Sequence, residues 1–124
     1  MRYLHTTLHV SDLEAAEAFF ADWAGLRVLR RMSAGGHTMV FLANGEGETA
    51  VELLQAPQGG AYSGSGLSLG FASKNLEADF ARAQAEGLAL GPIVQPTPHT
   101  RFFFLSGPDN LTVQLVENCL QFVK

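Results

Sequence analysis

Two side chains of this sequence, His5 and Glu52, have the chemistry of a metal site, and each has a counterpart in the second half of the chain. His5 and Ser68 lie 63 positions apart, and Glu52 and Gln114 lie 62 positions apart. Divalent metals accept imidazole nitrogen and carboxylate oxygen as ligands, and a glutamine oxygen can also bind a metal. Glu52 is the only carboxylate of the four, and the amide of Gln114 is essentially non-basic. If the fold brings the four positions together, they form a candidate ligand set for a divalent metal.

The same offsets relate the residues around these four positions. Segment 12–14 lies 63 positions before 75–77, and segment 50–54 lies 62 positions before 112–116. A nearly constant offset across half of a chain indicates internal duplication. We therefore expect one domain that contains two modules of the same fold.

Each module is predicted to contain a strand, a helix and three more strands. Residues 5–10 alternate between polar and apolar side chains, which is typical of a strand with two different faces. A capping box at Ser11–Glu14 begins a helix that Gly25 ends, because glycine readily adopts the left-handed conformation. The first predicted module is 1–55, with a helix to about Ala24 and strands at 2–10, 26–32, 37–42 and 49–55. A linker is predicted at 56–66. The second module is 67–124, with a helix from Asn75 to about Glu86 and strands at 67–73, 92–95, 101–105 and 111–117.

Strand alternation also predicts the direction of the four polar side chains. Their apolar neighbours alternate onto the opposite strand face, where the helix of each module is expected to cover them. The two modules are expected to form a curved, eight-stranded mixed sheet with the helices on its convex side, which is an α+β fold. The concave side should then form a cavity that contains His5, Glu52, Ser68 and Gln114.

The composition restricts the classes of protein to which the chain can belong. Its formal charge of −4 argues against nucleic-acid binding, since phosphates need a basic face. No apolar segment is long enough to span a membrane, and no signal peptide is recognisable. Cys119 is the single cysteine, so we interpret it as a packed or incidental thiol and expect a cytoplasmic location.

The chain resembles the glyoxalase I branch of the vicinal oxygen chelate superfamily, which includes lyases, bleomycin resistance proteins and ring-cleaving dioxygenases. Three features carry the likeness: the His5 strand, the helix start at 11–13, and the hairpin 107–110 before the strand 111–115. In that family an Asp-Pro-Asp-Gly-Asn segment leads to the last metal ligand. The likeness covers nearly the whole chain, and it implies the fold more specifically than any one activity.

The resemblance implies a metal site at His5, Ser68, Glu52 and Gln114, with nickel, zinc, cobalt or manganese as the cofactor. Ser68 stands where the family has histidine, and Gln114 stands where it has a glutamate that is both ligand and base. Weaker metal binding is therefore expected. The resemblance leaves His5, Glu52 and Gln114 as the predicted metal ligands and Glu52 as the predicted catalytic base, because it is the only carboxylate of the four.

The resemblance also implies that the chain binds a small oxygenated molecule, as a lactoylglutathione lyase-like, metal-dependent isomerase with an incomplete metal site. The alternative is a metal-free, drug-sequestering protein of the bleomycin-resistance type. A homodimer is expected, because family members of this length commonly pair. The predicted pocket residues are Ser68, Tyr3, Thr7, Phe103 and Arg101.

Some of these residues also have simpler interpretations. His5 could form only hydrogen bonds within a polar cavity, and Glu52 could be paired with Arg30 or Arg101 instead of a metal. The glycine-rich linker is interpreted as a movable flap at the cavity mouth. We interpret Phe103, Leu54 and Val116 as apolar lining, and His9, His37 and His99 as surface or rim residues.

Overall fold

The computed structural model describes residues 1–117, so Cys119 lies outside the described residues. The chain forms two compact units, the first over Met1–Ser63 and the second beginning at Gly64. The first unit contains β1 (His5–Val10), α1 (Leu13–Ala24), β2 (Arg27–Ala34), β3 (His37–Ala43) and β4 (Ala50–Gln55). The second contains β5 (Ser68–Ser73), α2 (Leu76–Ala85), β6 (Val94–Thr97), β7 (Thr100–Ser106) and β8 (Thr112–Glu117).

Each unit has one four-stranded mixed sheet and one α-helix, which confirms the predicted α+β fold of two βαβββ modules. The strand orders are β1-β4-β3-β2 and β5-β8-β7-β6, with one parallel pair in each sheet. His5 pairs with Ala50 in the first sheet, and Ser68 pairs with Thr112 in the second. These pairs are related by the same offsets as the sequence, so the two modules share their register. The joining of the two sheets into one eight-stranded surface stays a prediction.

Both helices begin with a side-chain cap at equivalent positions. The carboxylate of Asp12 accepts a hydrogen bond of 3.1 Å from the backbone N–H of Ala15, and Asn75 caps α2 in the same way. The predicted cap at Ser11 is therefore wrong by one residue. The helix α1 ends at Gly25, whose φ of 67° lies in the left-handed region that glycine adopts without strain. No helix in the described part of the chain is long and apolar enough to cross a membrane.

The helix of each unit covers one face of its sheet, and the apolar side chains of that face form the core. The helix α1 packs on β3 and β4, and α2 packs on β7 and β8. The fully buried side chains include Phe20, Val40, Leu42 and Leu53 in the first unit and Phe103, Leu105, Val113 and Leu115 in the second. Because side chains alternate along a strand, Glu52 and Gln114 lie on the other face. We call this second face the open face of each sheet.

Two of the edge strands, β6 and β1, have features that limit further strand pairing. The strand β6 contains Pro96, which is tolerated at a sheet edge because it needs no ladder partner for a backbone N–H, as predicted. At the free edge of β1, the N–H of Tyr62 donates to the carbonyl oxygen of His9 at 2.8 Å, while the N–H of Ala56 donates to that of Val10 at 2.9 Å and continues the β1–β4 pairing. These two points of the linker are therefore hydrogen-bonded to β1.

Candidate functional site

A row of side chains crosses the open face of the first sheet. The register places Thr7 of β1 opposite Glu52 of β4, Glu52 opposite Phe41 of β3, and Phe41 opposite Arg30 of β2. His5 lies two residues before Thr7, on the same face of β1. One small sheet therefore carries a hydroxyl, a carboxylate, an aromatic ring, a guanidinium and an imidazole on one surface.

The carboxylate of Glu52 contacts both polar neighbours on β1. His5 Nε2 lies 3.4 Å from Glu52 Oε1, and the hydroxyl of Thr7 donates a hydrogen bond of 2.5 Å to the same oxygen. The Glu52 side chain is 12% exposed and that of His5 is 39% exposed, so the carboxylate is sheltered while the imidazole reaches solvent. Within residues 1–117, neither Arg30 nor Arg101 is ion-paired with Glu52, which excludes the alternative partners considered above.

Phe41 lies between the imidazole and a guanidinium. The rings of His5 and Phe41 meet edge-on with centroids 5.7 Å apart, and Arg30 Cζ lies 4.8 Å from the centre of the Phe41 ring, a cation–π contact. His5, Phe41 and Arg30 line a pocket of about 500 Å³ that also includes residues of the turn at 46–48. This volume suits a small-molecule ligand. The sequence does not single out Phe41; the register of β3 and β4 is what places it opposite Glu52.

The open face of the second sheet has the same layout with neutral residues. Gly70 lies opposite Gln114, Gln114 lies opposite Phe104, and Ser68 lies two residues before Gly70. Gly70 therefore corresponds to Thr7, Gln114 to Glu52, Phe104 to Phe41, and Ser68 to His5. A Cβ atom added at Gly70 would lie 3.3 Å from Gln114 Oε1, so the glycine leaves room for the amide. A pocket of about 230 Å³ is lined by Gly70, Phe71, Ala72, Gln114 and Val116, none of which is ionisable.

Phe103 and Arg101 lie on the helix side of the second sheet, which contradicts their predicted place in the pocket. Phe103 is fully buried, and its ring packs edge-on against Phe80 of α2 with centroids 5.1 Å apart. Arg101 pairs with Glu117 of β8 at 2.5 Å and with Glu77 of α2 at 2.7 Å. The hydrogen bond from Arg101 lowers the pKa of Glu117, and the bonds to Glu117 and Glu77 raise the pKa of Arg101.

The remaining predicted residues are more exposed. Tyr3 precedes β1, and its hydroxyl forms a hydrogen bond with that of Thr6. Leu54 and Val116 are half-buried and share the open faces of the predicted ligands. Three other histidines are exposed, in keeping with the interpretation of them as surface residues: His9, His37 and His99.

Two donor atoms of the first unit have the spacing of two ligands in a four-ligand metal site. Ligands at about 2.1 Å from one ion in tetrahedral geometry lie about 3.4 Å apart. The separation of His5 Nε2 and Glu52 Oε1 is 3.4 Å, so both atoms can bind one ion. The hydrogen bond from Thr7 orients the carboxylate, as outer-shell partners do in metal sites. Across the part of the chain that the structure describes, however, no group of three or more His, Cys, Asp or Glu side chains could hold a metal.

Comparison with known proteins identifies the family. Residues 2–115 match the family model of the Glyoxalase/Bleomycin resistance protein/Dioxygenase superfamily. The chain belongs to this superfamily. A lactoylglutathione lyase of Haemophilus influenzae is 27% identical over 126 residues, which cover 95% of this chain and 93% of that protein. The resemblance inferred from the sequence is confirmed.

Solved structures of the superfamily have the same fold. The trypanothione-dependent glyoxalase I of Leishmania major has a TM-score of 0.75 at 22% identity, over 94% of this chain and 86% of that chain. At this identity the likeness shows the fold alone. The antibiotic binding protein TnmS3 from a Streptomyces species has a TM-score of 0.70 at 26% identity, over 94% of this chain and 95% of that chain. A lactoylglutathione lyase and an antibiotic binding protein are thus both among the proteins to which this chain is similar.

Proposed function

We propose that the protein binds a small oxygenated molecule on the open face of its first unit, as a lactoylglutathione lyase-like isomerase that uses a divalent metal. The observation that carries this proposal is the 3.4 Å contact of His5 Nε2 with Glu52 Oε1, which lies beside a pocket of about 500 Å³. The identity of 27% to a lactoylglutathione lyase supports the same reaction class.

Each polar residue has a proposed role. His5 and Glu52 would hold the metal, and Gln114 would be the further oxygen donor. A bound divalent metal would polarise two neighbouring oxygens of the ligand. Thr7 and His5 both contact Oε1 of Glu52, so Oε2 is the oxygen that we propose takes up a proton next to a carbonyl. Gln114 cannot accept this proton, because its amide is non-basic, so a single carboxylate performs the transfer.

Metal binding tests the proposal directly. The protein, prepared without a histidine tag, is incubated with nickel, zinc, cobalt and manganese in turn, and the metal bound per chain is measured. We expect stoichiometric binding of at least one metal and its loss in Glu52→Gln. The matched control is Glu48→Gln, because Glu48 lines the same pocket from the turn and is not a proposed ligand. Binding of none of the four metals, or equal binding by Glu52→Gln, would refute the metal site.

The reaction class has its own test. The metal-loaded protein is incubated in D₂O with the adduct of methylglyoxal and glutathione, and the product is followed by NMR. We expect slow formation of lactoylglutathione that depends on Glu52. If Glu52→Gln, incubated with the same metal, forms the product at the same rate, Glu52 is neither the base nor a metal ligand that the reaction needs.

A second candidate function is metal-free binding of an aromatic or amphipathic molecule. It is supported by the uncharged pocket of about 230 Å³ in the second unit and by the 26% identity to an antibiotic binding protein. With a chelator present, bleomycin should then raise the melting temperature of the protein. The increase should persist in Glu52→Gln and disappear in Val116→Asp, which places a charge in this pocket. No stabilisation of the metal-free protein by bleomycin would count against drug sequestration.

We also propose that the protein is a homodimer, which is the state expected from the family resemblance. Sedimentation equilibrium at micromolar concentration should give twice the chain mass of 13.3 kDa. A single-chain mass across the concentration range would contradict this.

A further inference from the structure

One charged group of the first pocket is not used by the proposed function, the guanidinium of Arg30. Arg30 lies on β2, opposite Phe41 in the register, and it lines the same pocket as His5. The residue is exposed, and its guanidinium lies over the Phe41 ring at 4.8 Å. Among residues 1–117, no carboxylate forms an ion pair with Arg30.

The other charged residues of this pocket are already bonded or have the opposite sign. Arg2 donates a hydrogen bond to the carbonyl oxygen of Gly47, and Glu46 and Glu48 are acidic. Arg30 is therefore the cation of the pocket that has a fixed aromatic neighbour and no carboxylate partner within the described residues. A guanidinium that lies over an aromatic ring can still donate hydrogen bonds from its N–H groups to a planar anion. A carboxylate matches the geometry of these donors.

We infer that Arg30 binds a carboxylate of the ligand. The ligand is then an anion that carries a carboxylate at one end and two neighbouring oxygens at the other. The inference rests on the proposed function, which places those two oxygens at His5 and Glu52.

The geometry limits the length of such a ligand. Arg30 Cζ lies 4.8 Å from the Phe41 ring centre, and the His5 ring centre lies 5.7 Å from the same point. The guanidinium and the imidazole are therefore separated by at most the sum of these two distances, about 10.5 Å. This span also includes the contacts at both ends of the ligand, so the ligand is compact, with at most one small ring or a short chain between its two ends.

Two hydroxamic acids serve as matched probes. Benzohydroxamate has two neighbouring oxygens and no carboxylate, and 4-carboxybenzohydroxamate adds a carboxylate at the far end of the ring. The affinity of the nickel-loaded protein for each probe is measured by isothermal titration calorimetry. We expect the carboxylated probe to bind about tenfold more tightly, the gain typical of one charge-assisted hydrogen bond. In Arg30→Gln the two probes should bind equally, with the affinity for benzohydroxamate unchanged.

Two further variants control for charge and for folding. Arg31→Gln makes the same substitution at the next residue of β2, whose side chain pairs with Glu17 of α1, and it should keep the tenfold preference. Arg30→Lys keeps the charge without the planar fork, and it should keep only part of the preference.

The outcomes separate this inference from the proposed function. Equal affinity of the unmodified protein for the two probes, or a preference that persists in Arg30→Gln, would overturn the role of Arg30 alone. If Arg30 only supports the sheet through Phe41, Arg30→Gln should melt at a lower temperature and still bind the carboxylated probe more tightly than benzohydroxamate. That result would also refute the role of Arg30 in binding the carboxylate. Failure of both probes to bind the nickel-loaded protein would overturn the proposed function, and this inference with it.

Discussion

Replacing Phe103 by alanine tests which face of β7 belongs to the core and which is the open face. Phe103 is fully buried and packs on Phe80 of α2 with ring centroids 5.1 Å apart. Phe104, the next residue, is half-buried on the open face, opposite Gln114. Phe103→Ala and Phe104→Ala therefore remove the same side chain from opposite faces of one strand.

The expected magnitudes follow from burial. Truncating a buried phenylalanine costs about 3–5 kcal/mol, and an edge-on aromatic pair contributes about 0.5–1.5 kcal/mol beyond its buried area. We expect the upper part of the first range for Phe103→Ala, because this side chain is 0% exposed. For Phe104→Ala we expect about half as much, because the side chain already keeps part of its surface in water.

Urea unfolding followed by circular dichroism gives the difference in free energy of unfolding. Domains of this size have a total stability of about 5–15 kcal/mol, so the alanine variant of Phe103 risks being unfolded. Phe103→Leu keeps most of the volume and should cost about 1–2 kcal/mol, which keeps the comparison measurable. Two results would refute the assignment of faces: an equal cost for the two alanine variants, or a Phe103→Leu protein whose stability is unchanged.

Three further predictions concern the polar residues. Thr7→Val removes the hydroxyl that orients Glu52 and should weaken metal binding by about tenfold in a competition titration with a chelating dye; unchanged affinity would show that the hydroxyl has no such role. Ser68→His combined with Gln114→Glu restores the ligand types that the family resemblance implies and should raise metal affinity by at least about tenfold; a flat response would contradict the correspondence of the four positions. The hydrogen bond from Arg101 lowers the pKa of Glu117 below the ordinary value of 4.5. The ion pair therefore stabilises the fold fully above pH 4.5, and this stabilisation is lost as the pH falls through the lower pKa of the folded state. The free energy of unfolding should therefore fall less steeply with acid in Glu117→Gln, and identical slopes would contradict the ion pair.

The duplicated fold could be predicted because the two modules retain equivalent residues where the backbone needs them. Asp12 and Asn75 both cap a helix through a side-chain oxygen, and they lie 63 positions apart. Only the choice between the two adjacent capping residues in the first module was wrong, since Ser11 and Asp12 are both good caps. The register of the sheets follows from the same offsets.

Side-chain direction could be predicted only where polar and apolar residues alternate. In β4, Glu52 stands between Val51 and Leu53, so its face follows from the sequence. In β7, segment 102–104 is three phenylalanines, which give no contrast between the faces. The direction of Phe103 depends on its contact with Phe80 of α2, a tertiary contact that periodicity does not encode.

The comparison of the two modules favours a functional reason for the charge at Glu52. The same strand position in the second module holds the neutral amide of Gln114, in the same register and with a glycine beside it. A sheltered carboxylate, 12% exposed, costs more free energy to desolvate than an amide does. Thr7 and His5 offset part of that cost in the folded protein, but a neutral residue there would avoid it altogether. Since the fold accommodates the neutral residue in one module, the carboxylate in the other is best explained by a task that needs its charge, either binding a cation or taking up a proton.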